Sequence, residues 1–330
     1  MELISRLPLL ANDICTSGQG IDAELALELA ELSEGATPWL MAAAQQVCRH
    51  FKGDEVRFCS IVSARSGHCG EDCAFCAQSR DSAAEIETYP LRQTDWLASQ
   101  ARQARTQGAG EFSIVTAGKK VSAHDLERIG EVLEEVAELG MEPCASLGVL
   151  DEVQLAELKA HGLEVFHHNL ETARSYYGEI VSTRSYDDNV RTVEAVKAAG
   201  LKVCCGGLFG MGESWAQRIE LFAELVRLRV DRVPINFLIP IAGTRLEAQP
   251  PLPAMEALRI IALARLMMPT QEINVAGGRE RVLGQLQANV FLAGANAILV
   301  GNYLTTKGRA VADDVELART CGLTPRGVPE

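Results

Sequence analysis

No stretch of this 330-residue sequence offers the roughly twenty uncharged apolar residues that a membrane-spanning helix needs. There is no basic block either. The formal net charge is −13 and the positive residues are scattered, which disfavours recognition of nucleic acid through a basic field. The opening residues, MELISRLPLLAND, carry Glu2 and only a brief apolar run, unlike a secretory leader. No repeat, linker or low-complexity segment stands out. Without a secretion signal, the ten cysteines are expected to be reduced thiols suited to metal chemistry, not a disulfide framework. A cytoplasmic location is expected, with neither nucleic acid nor membrane as partner.

What is present is a core-rich chain, 47% hydrophobic, in which short β-like runs alternate with amphipathic stretches from residue 56 onward. The strand candidates are Val56–Val62, Glu111–Thr116, Glu142–Leu147, Glu164–Asn169, Leu201–Gly206, Arg232–Leu238, Glu272–Ala276 and Ala297–Val300. Between them, Leu126, Ile129, Leu133, Val136 and Leu139 recur with the spacing of one helix face. Val190, Val193 and Val196 do the same, and Gly200 supplies a stop. Ser214 is placed to cap a further helix, and Pro269 ends one that begins at Ala254. Such alternation argues for an α/β fold with a parallel sheet and helices outside it. Eight units over about 250 residues suit a closed (β/α)8 TIM-type barrel, with an open doubly wound sheet as the rival. The expected division is a helical N-terminal extension over 1–55, the barrel over 56–304, and a short C-terminal tail over 305–330 packed on the barrel.

The densest chemical signal is Gly67-His68-Cys69-Gly70-Glu71-Asp72-Cys73-Ala74-Phe75-Cys76. Three thiolates this close cannot all pair sensibly as disulfides, but they can wrap one iron–sulfur cube. The loop has no fourth cysteine, so one iron is left open for a substrate or cosubstrate. A zinc loop would ordinarily need two further ligands and gives Phe75 no role. The spacing resembles the radical S-adenosylmethionine (SAM) superfamily. That resemblance implies a 4Fe–4S cluster on Cys69, Cys73 and Cys76, which chelates SAM and splits it reductively to a 5′-deoxyadenosyl radical. In a barrel the loop after the first strand lies on the C-terminal face, where barrel chemistry sits.

Further motifs occur in order: Phe166-His167-His168-Asn169-Leu170-Glu171-Thr172, Thr183-Arg184-Ser185-Tyr186, Lys202-Val203-Cys204-Cys205-Gly206-Gly207, Val233-Pro234-Ile235-Asn236 and Ala293-Gly294-Ala295-Asn296. From about Arg57 to the C-terminus the set resembles the biotin synthase family. The resemblance implies insertion of sulfur between two unactivated carbons of dethiobiotin, with the sulfur drawn from a second, auxiliary iron–sulfur cluster. It also implies a low-potential electron donor of flavodoxin or ferredoxin type, and a homodimer. Residue by residue, it places Phe75 near the adenine of SAM and assigns Asn169 and Glu171 to ribose and substrate. Glu171 stands where the family more often has aspartate. Arg184 is a partner for carboxylates, and Asn236 reads the ureido ring, where an amide offers both donor and acceptor. Strand-end capping is the plainer reading of Asn169 and Asn236. His167 and His168 are expected to pack or hydrogen-bond, with only one facing inward.

The auxiliary site departs from the better-known family members. Those hold a 2Fe–2S cluster with cysteines on the second, third and fifth strands and an arginine on the seventh. Here Cys144 and Cys204 match the third and fifth, but Ser113 replaces the strand-two cysteine and Asn274 the arginine. Cys59, on the first strand, is the candidate replacement, since inward side chains of neighbouring barrel strands reach one interior layer. Cys59, Cys144 and Cys204 would then hold a larger cluster, resembling a second type within the family. Cys205 is expected to face outward. Cys15, Cys48 and Cys321 lie outside the barrel strands. Two alternatives stay open: a hydrogenase-maturation or methylornithine-forming relative without sulfur transfer, and a non-enzymatic iron–sulfur scaffold or redox sensor.

Overall fold

The computed structural model describes residues 2–304 and 308–326. Ten strands are formed: β1 (Glu55–Arg65), β2 (Glu111–Thr116), β3 (Glu142–Ser146), β4 (Val165–His167), β5 (Lys202–Cys204), β6 (Gly207–Phe209), β7 (Arg232–Phe237), β8 (Glu272–Val275), β9 (Ala297–Leu299) and β10 (Thr324–Pro325). All pairings between these strands are parallel and β9 returns to β1, closing a barrel with helices between the staves. The fifth stave is broken at Cys205–Gly206, so both β5 and β6 pair with β7. A Cβ on Gly206 would lie 2.0 Å from the carbonyl oxygen of Pro234, so the break requires glycine there.

The register sets the height of every inward side chain. Cys59 pairs through Glu111 with Glu142, two residues short of Cys144. Cys144 pairs through Val165 with Lys202, two short of Cys204. Cys204 pairs through Arg232 with Glu272, two short of Asn274, and Asn274 pairs through Ala297 with Arg57, two short of Cys59. Four steps of two residues give a shear of eight, the value of an eight-stranded barrel of this class. Alternate staves therefore contribute interior layers of four, and Cys59, Cys144, Cys204 and Asn274 make one of them.

Alternation along the staves separates two environments. Phe58, Phe112, Ile114, Phe166, Val203, Ile235, Ile273 and Ile298 are buried under the surrounding helices. The inward residues are largely polar, and they enclose the cavity described below. The helices begin where the sequence offers caps. Ser122 accepts from the backbone N–H of Asp125, and Ser185 and Ser214 form capping boxes with Asp188 and Gln217. Gly200 takes φ +69°, as a helix stop before β5 requires.

Residues 2–52 form three helices, Glu2–Ser17, Ala23–Ala30 and Thr37–Lys52. The second and third cover the helix Ala254–Met267, in which every residue from Ala257 to Met267 is buried, and the first packs on the third. Arg259 fastens the cover by donating to the carbonyls of Ala30, Leu32 and Ser33. Beyond the barrel stands the helix Val311–Thr320, and β10 adds to the start of β1. No helix among the described residues is long and apolar enough to cross a membrane.

Candidate active site

The loop after β1 carries Cys69, Cys73 and Cys76 to the C-terminal mouth. It turns through left-handed backbone at Gly67 (φ +78°) and His68 (φ +51°). Asp72 ties it down by accepting from the backbone N–H groups of Ser182 and Thr183 and from both hydroxyls. Burial opposes ionisation of Asp72, but these bonds outweigh it and hold the carboxyl far below the usual range. Arg245 donates to the carbonyls of Asp72 and Ile180, both at 2.8 Å. The loop is thus pinned from two other segments of the chain.

Cys73 and Cys76 both feel neighbouring thiols. Burial pushes Cys73 up; Arg184 opposes that shift, whereas Glu171, Cys76 and Cys69 add to it. Burial likewise raises Cys76, and Cys69 adds to the rise. Among the described residues no three His, Cys, Asp or Glu side chains converge closely enough for a single metal ion.

Below the loop a cavity of about 450 Å³ runs down the barrel interior. Phe75, Asn169, Glu171, Arg184 and Asn236 line its upper part, and Cys59, Cys144, Cys204 and Asn274 its lower part. The structure therefore brings every candidate below the loop to one space. Asn169 accepts from the backbone N–H of Gly206 at 3.1 Å and meets His167 at 3.0 Å. Glu171 is held at φ +68°, a conformation rare for a side chain of its size and of the kind found at functional sites. Burial raises its carboxyl, against the pull of Arg184 and of the Asn169 amide. Arg184 donates to the Tyr177 hydroxyl at 2.9 Å and stands 4.0 Å from Glu71.

Asn236 is more committed than the sequence suggests. Its amide donates to the carbonyl of Gly207 and its oxygen accepts from Gly277 N–H at 2.9 Å. One N–H and one lone pair remain for a ligand. Both His167 and His168 reach the cavity wall, which corrects the expectation that only one faces inward. β4 ends at His167, so the alternation that would turn His168 outward no longer applies. His168 is held by Asn189 at 3.1 Å, and burial drops both imidazoles to about 4, leaving them neutral near pH 7.

In the lower layer, burial pushes Cys204 up to about 12 and raises Cys59 and Cys144 well above the ordinary thiol range. Glu111 adds to the rise at Cys59, followed by Cys204; Cys59 in turn acts on Cys144. The three thiols are electrostatic neighbours. Cys205 is 0% exposed, packed in the apolar shell outside the barrel and absent from the cavity wall. The donor chemistry fits iron–sulfur groups at both ends: thiols only in the loop, thiols plus an amide below. Two buried cavity atoms, Asn274 Oδ1 and Thr116 Oγ1, also lack any hydrogen-bond partner, which is what a wall shaped for a polar occupant presents.

Beneath the thiols lies a feature that the sequence reading missed. Arg57, Glu111, Glu142, Arg232 and Glu272 close the floor as an ion-paired layer. Arg232 bonds Glu111 at 2.8 Å, also contacts Glu142, and stands 3.4 Å from Glu272. Arg57 contacts the same three carboxylates. The signal was visible: Glu111, Glu142, Arg232 and Glu272 each open a strand, two residues before an inward position. Read singly, they look like solvated strand ends.

Comparison with known proteins bears on this geometry. Residues 65–226 match the Radical SAM superfamily and residues 234–324 the Biotin and Thiamin Synthesis associated domain. The biotin synthase of Citrifermentans bemidjiense is 46% identical over 315 residues, 95% of this chain and 96% of that protein. The chain belongs to the biotin synthase family. The biotin synthase of Syntrophotalea carbinolica is 49% identical over 288 residues, covering 87% of this chain and 88% of that one. Among solved structures, methylornithine synthase superposes with TM-score 0.83 at 22% identity, covering 96% of this chain and 97% of its own. The FeFe-hydrogenase maturase HydG from Carboxydothermus hydrogenoformans gives 0.81 at 16%, covering 98% and 83%. At these identities the likeness is one of barrel fold, whereas the biotin synthase likeness is one of sequence along nearly the whole chain.

Proposed function

We propose that this chain is a radical SAM sulfurtransferase that inserts sulfur into dethiobiotin to form the thiophane ring of biotin. The observation that carries the reading is the layer of Cys59, Cys144 and Cys204 in the barrel interior, in one cavity with Asn169, Glu171 and Asn236, whose residues Arg184 and Glu171 act electrostatically on Cys73 of the loop above. When bound, the cluster on Cys69, Cys73 and Cys76 with SAM supplies hydrogen-atom abstraction from two unactivated C–H bonds, and the auxiliary group supplies sulfur.

The chain's own residues bind and orient. Asn236 offers its spare N–H and lone pair to the ureido ring, while Asn169 and Glu171 take ribose and substrate hydroxyl or amide groups. Arg184 faces the carboxylate end of a ligand, and Phe75 packs beside the adenine. Ile61, Val115, Leu238 and Ile241 line the same cavity and keep water from the reacting carbons. Cys59, Cys144 and Cys204 hold the auxiliary cluster, larger than 2Fe–2S. A flavodoxin- or ferredoxin-type donor, a homodimer and a cytoplasmic location complete the proposal.

The test is anaerobic, reduced turnover with SAM and dethiobiotin, assayed for 5′-deoxyadenosine and biotin. Both products are expected from the native chain and neither from Cys73→Ala. SAM cleavage without biotin, in a chain carrying both clusters, would overturn the sulfur-insertion reading.

A further inference from the structure

We propose that Asn274 is the fourth member of the sulfur-donor site, a positioning residue whose side-chain N–H donates to the sulfur atoms held by Cys59, Cys144 and Cys204. The inference rests on the function proposed above and deepens it. The register puts Asn274 on the one stave of the four that brings no cysteine to this layer. The side chain lines the same cavity as the three thiols, the residue is 7% exposed, and its Oδ1 finds no hydrogen-bond partner. An amide left so is costly in a packed interior, and the other residues of its layer are the cysteines themselves.

Charge decides which end of the amide turns toward sulfur. Thiolates and sulfide accept hydrogen bonds and donate none, so the N–H must face them; the two ends of an asparagine exchange by a simple flip. The nearest cation cannot take this role alone. Arg232, one layer down, already has its three nitrogens directed at Glu111, Glu142 and Glu272. Asn274 is the neutral donor within the cysteine layer itself.

The experiment compares the full-length chain with Asn274→Leu and Asn274→Asp after anaerobic reconstitution with iron and sulfide. Iron and labile sulfide per chain are measured as a ferrous chelator removes them, with Mössbauer spectra separating the two clusters. Loss of one hydrogen bond to a charged acceptor predicts release of auxiliary iron about tenfold faster in Asn274→Leu. Asn274→Asp, with an acceptor and a negative charge in place of the donor, should lose it at least as fast. The radical cluster and 5′-deoxyadenosine formation should persist in both and certify the fold. Wild-type retention in Asn274→Leu overturns the proposal. So does tighter retention in Asn274→Asp, because an oxygen would then be bound to iron in place of an N–H to sulfur. If Cys59→Ser also keeps its auxiliary iron, the three-cysteine reading itself fails, and the two failures are told apart.

Discussion

Cys59 and Cys205 are both thiols on barrel staves, and their direction separates them. Cys59 faces the cavity and Cys205 the helical shell. Cys59→Ser is expected to lose auxiliary iron and sulfide while still cleaving SAM, and to make little or no biotin. Cys205→Ser should keep its full iron content; metal analysis per chain checks both. Asn236 carries a different lesson. Its side chain bridges Gly207 and Gly277, so it is part of the wall as well as a candidate contact. Asn236→Leu should cost about 1–3 kcal/mol of folding stability from the stranded backbone groups, seen as a lower urea midpoint. Dethiobiotin binding should fall with it, while SAM binding to the folded fraction holds. The sequence showed an asparagine at a strand end; whether it caps or binds depended on glycines 29 and 41 residues away.

Elements join through buried arginines more than through loops. The tail helix Val311–Thr320 is docked by Asp314, which accepts both 2.9 Å bonds from Arg279 at the start of the helix Arg279–Leu283. These side chains are 1% and 0% exposed. Arg279→Met strands a buried carboxylate, at a cost of about 3–5 kcal/mol. Arg309, 3.9 Å from Asp314, places the expectation at the low end. Limited proteolysis should release the tail in Arg279→Met and spare it in Arg279→Met/Asp314→Leu, where no charge is left unpaired. The caps at Ser122, Ser185 and Ser214 and the stop at Gly200 were legible because each is a local, few-residue device. β6 was not, since three residues after Gly206 owe their pairing to β7.

At the scale of the molecule, the barrel is filled by charge at its floor, by thiols and an amide above it, and by a ligand-sized cavity above those. A floor of branched apolar residues would be the usual solution; here two arginines answer three glutamates. Glu111 is pushed up to about 7, burial being the main cause, against the pull of Arg232. Arg232→Met removes the side chain that meets three carboxylates. It is expected to cost at least about 3 kcal/mol, read as loss of urea stability with the helices' circular dichroism intact below the transition.

The clustered thiols of Cys69, Cys73 and Cys76, the period-two and period-3.6 patterns and the helix caps are properties of short segments, and the sequence by itself determined them. The likeness to biotin synthases followed from the order of those segments along the chain. Which thiols share a layer was decided only when β9 closed on β1, because closure fixes the shear and the shear fixes heights. The same closure set Asn274 among cysteines that lie 70 to 215 residues away in the chain. It also turned five charged strand residues into one floor. Contacts of such long range have no local signature, which is why tertiary structure alone supplied them.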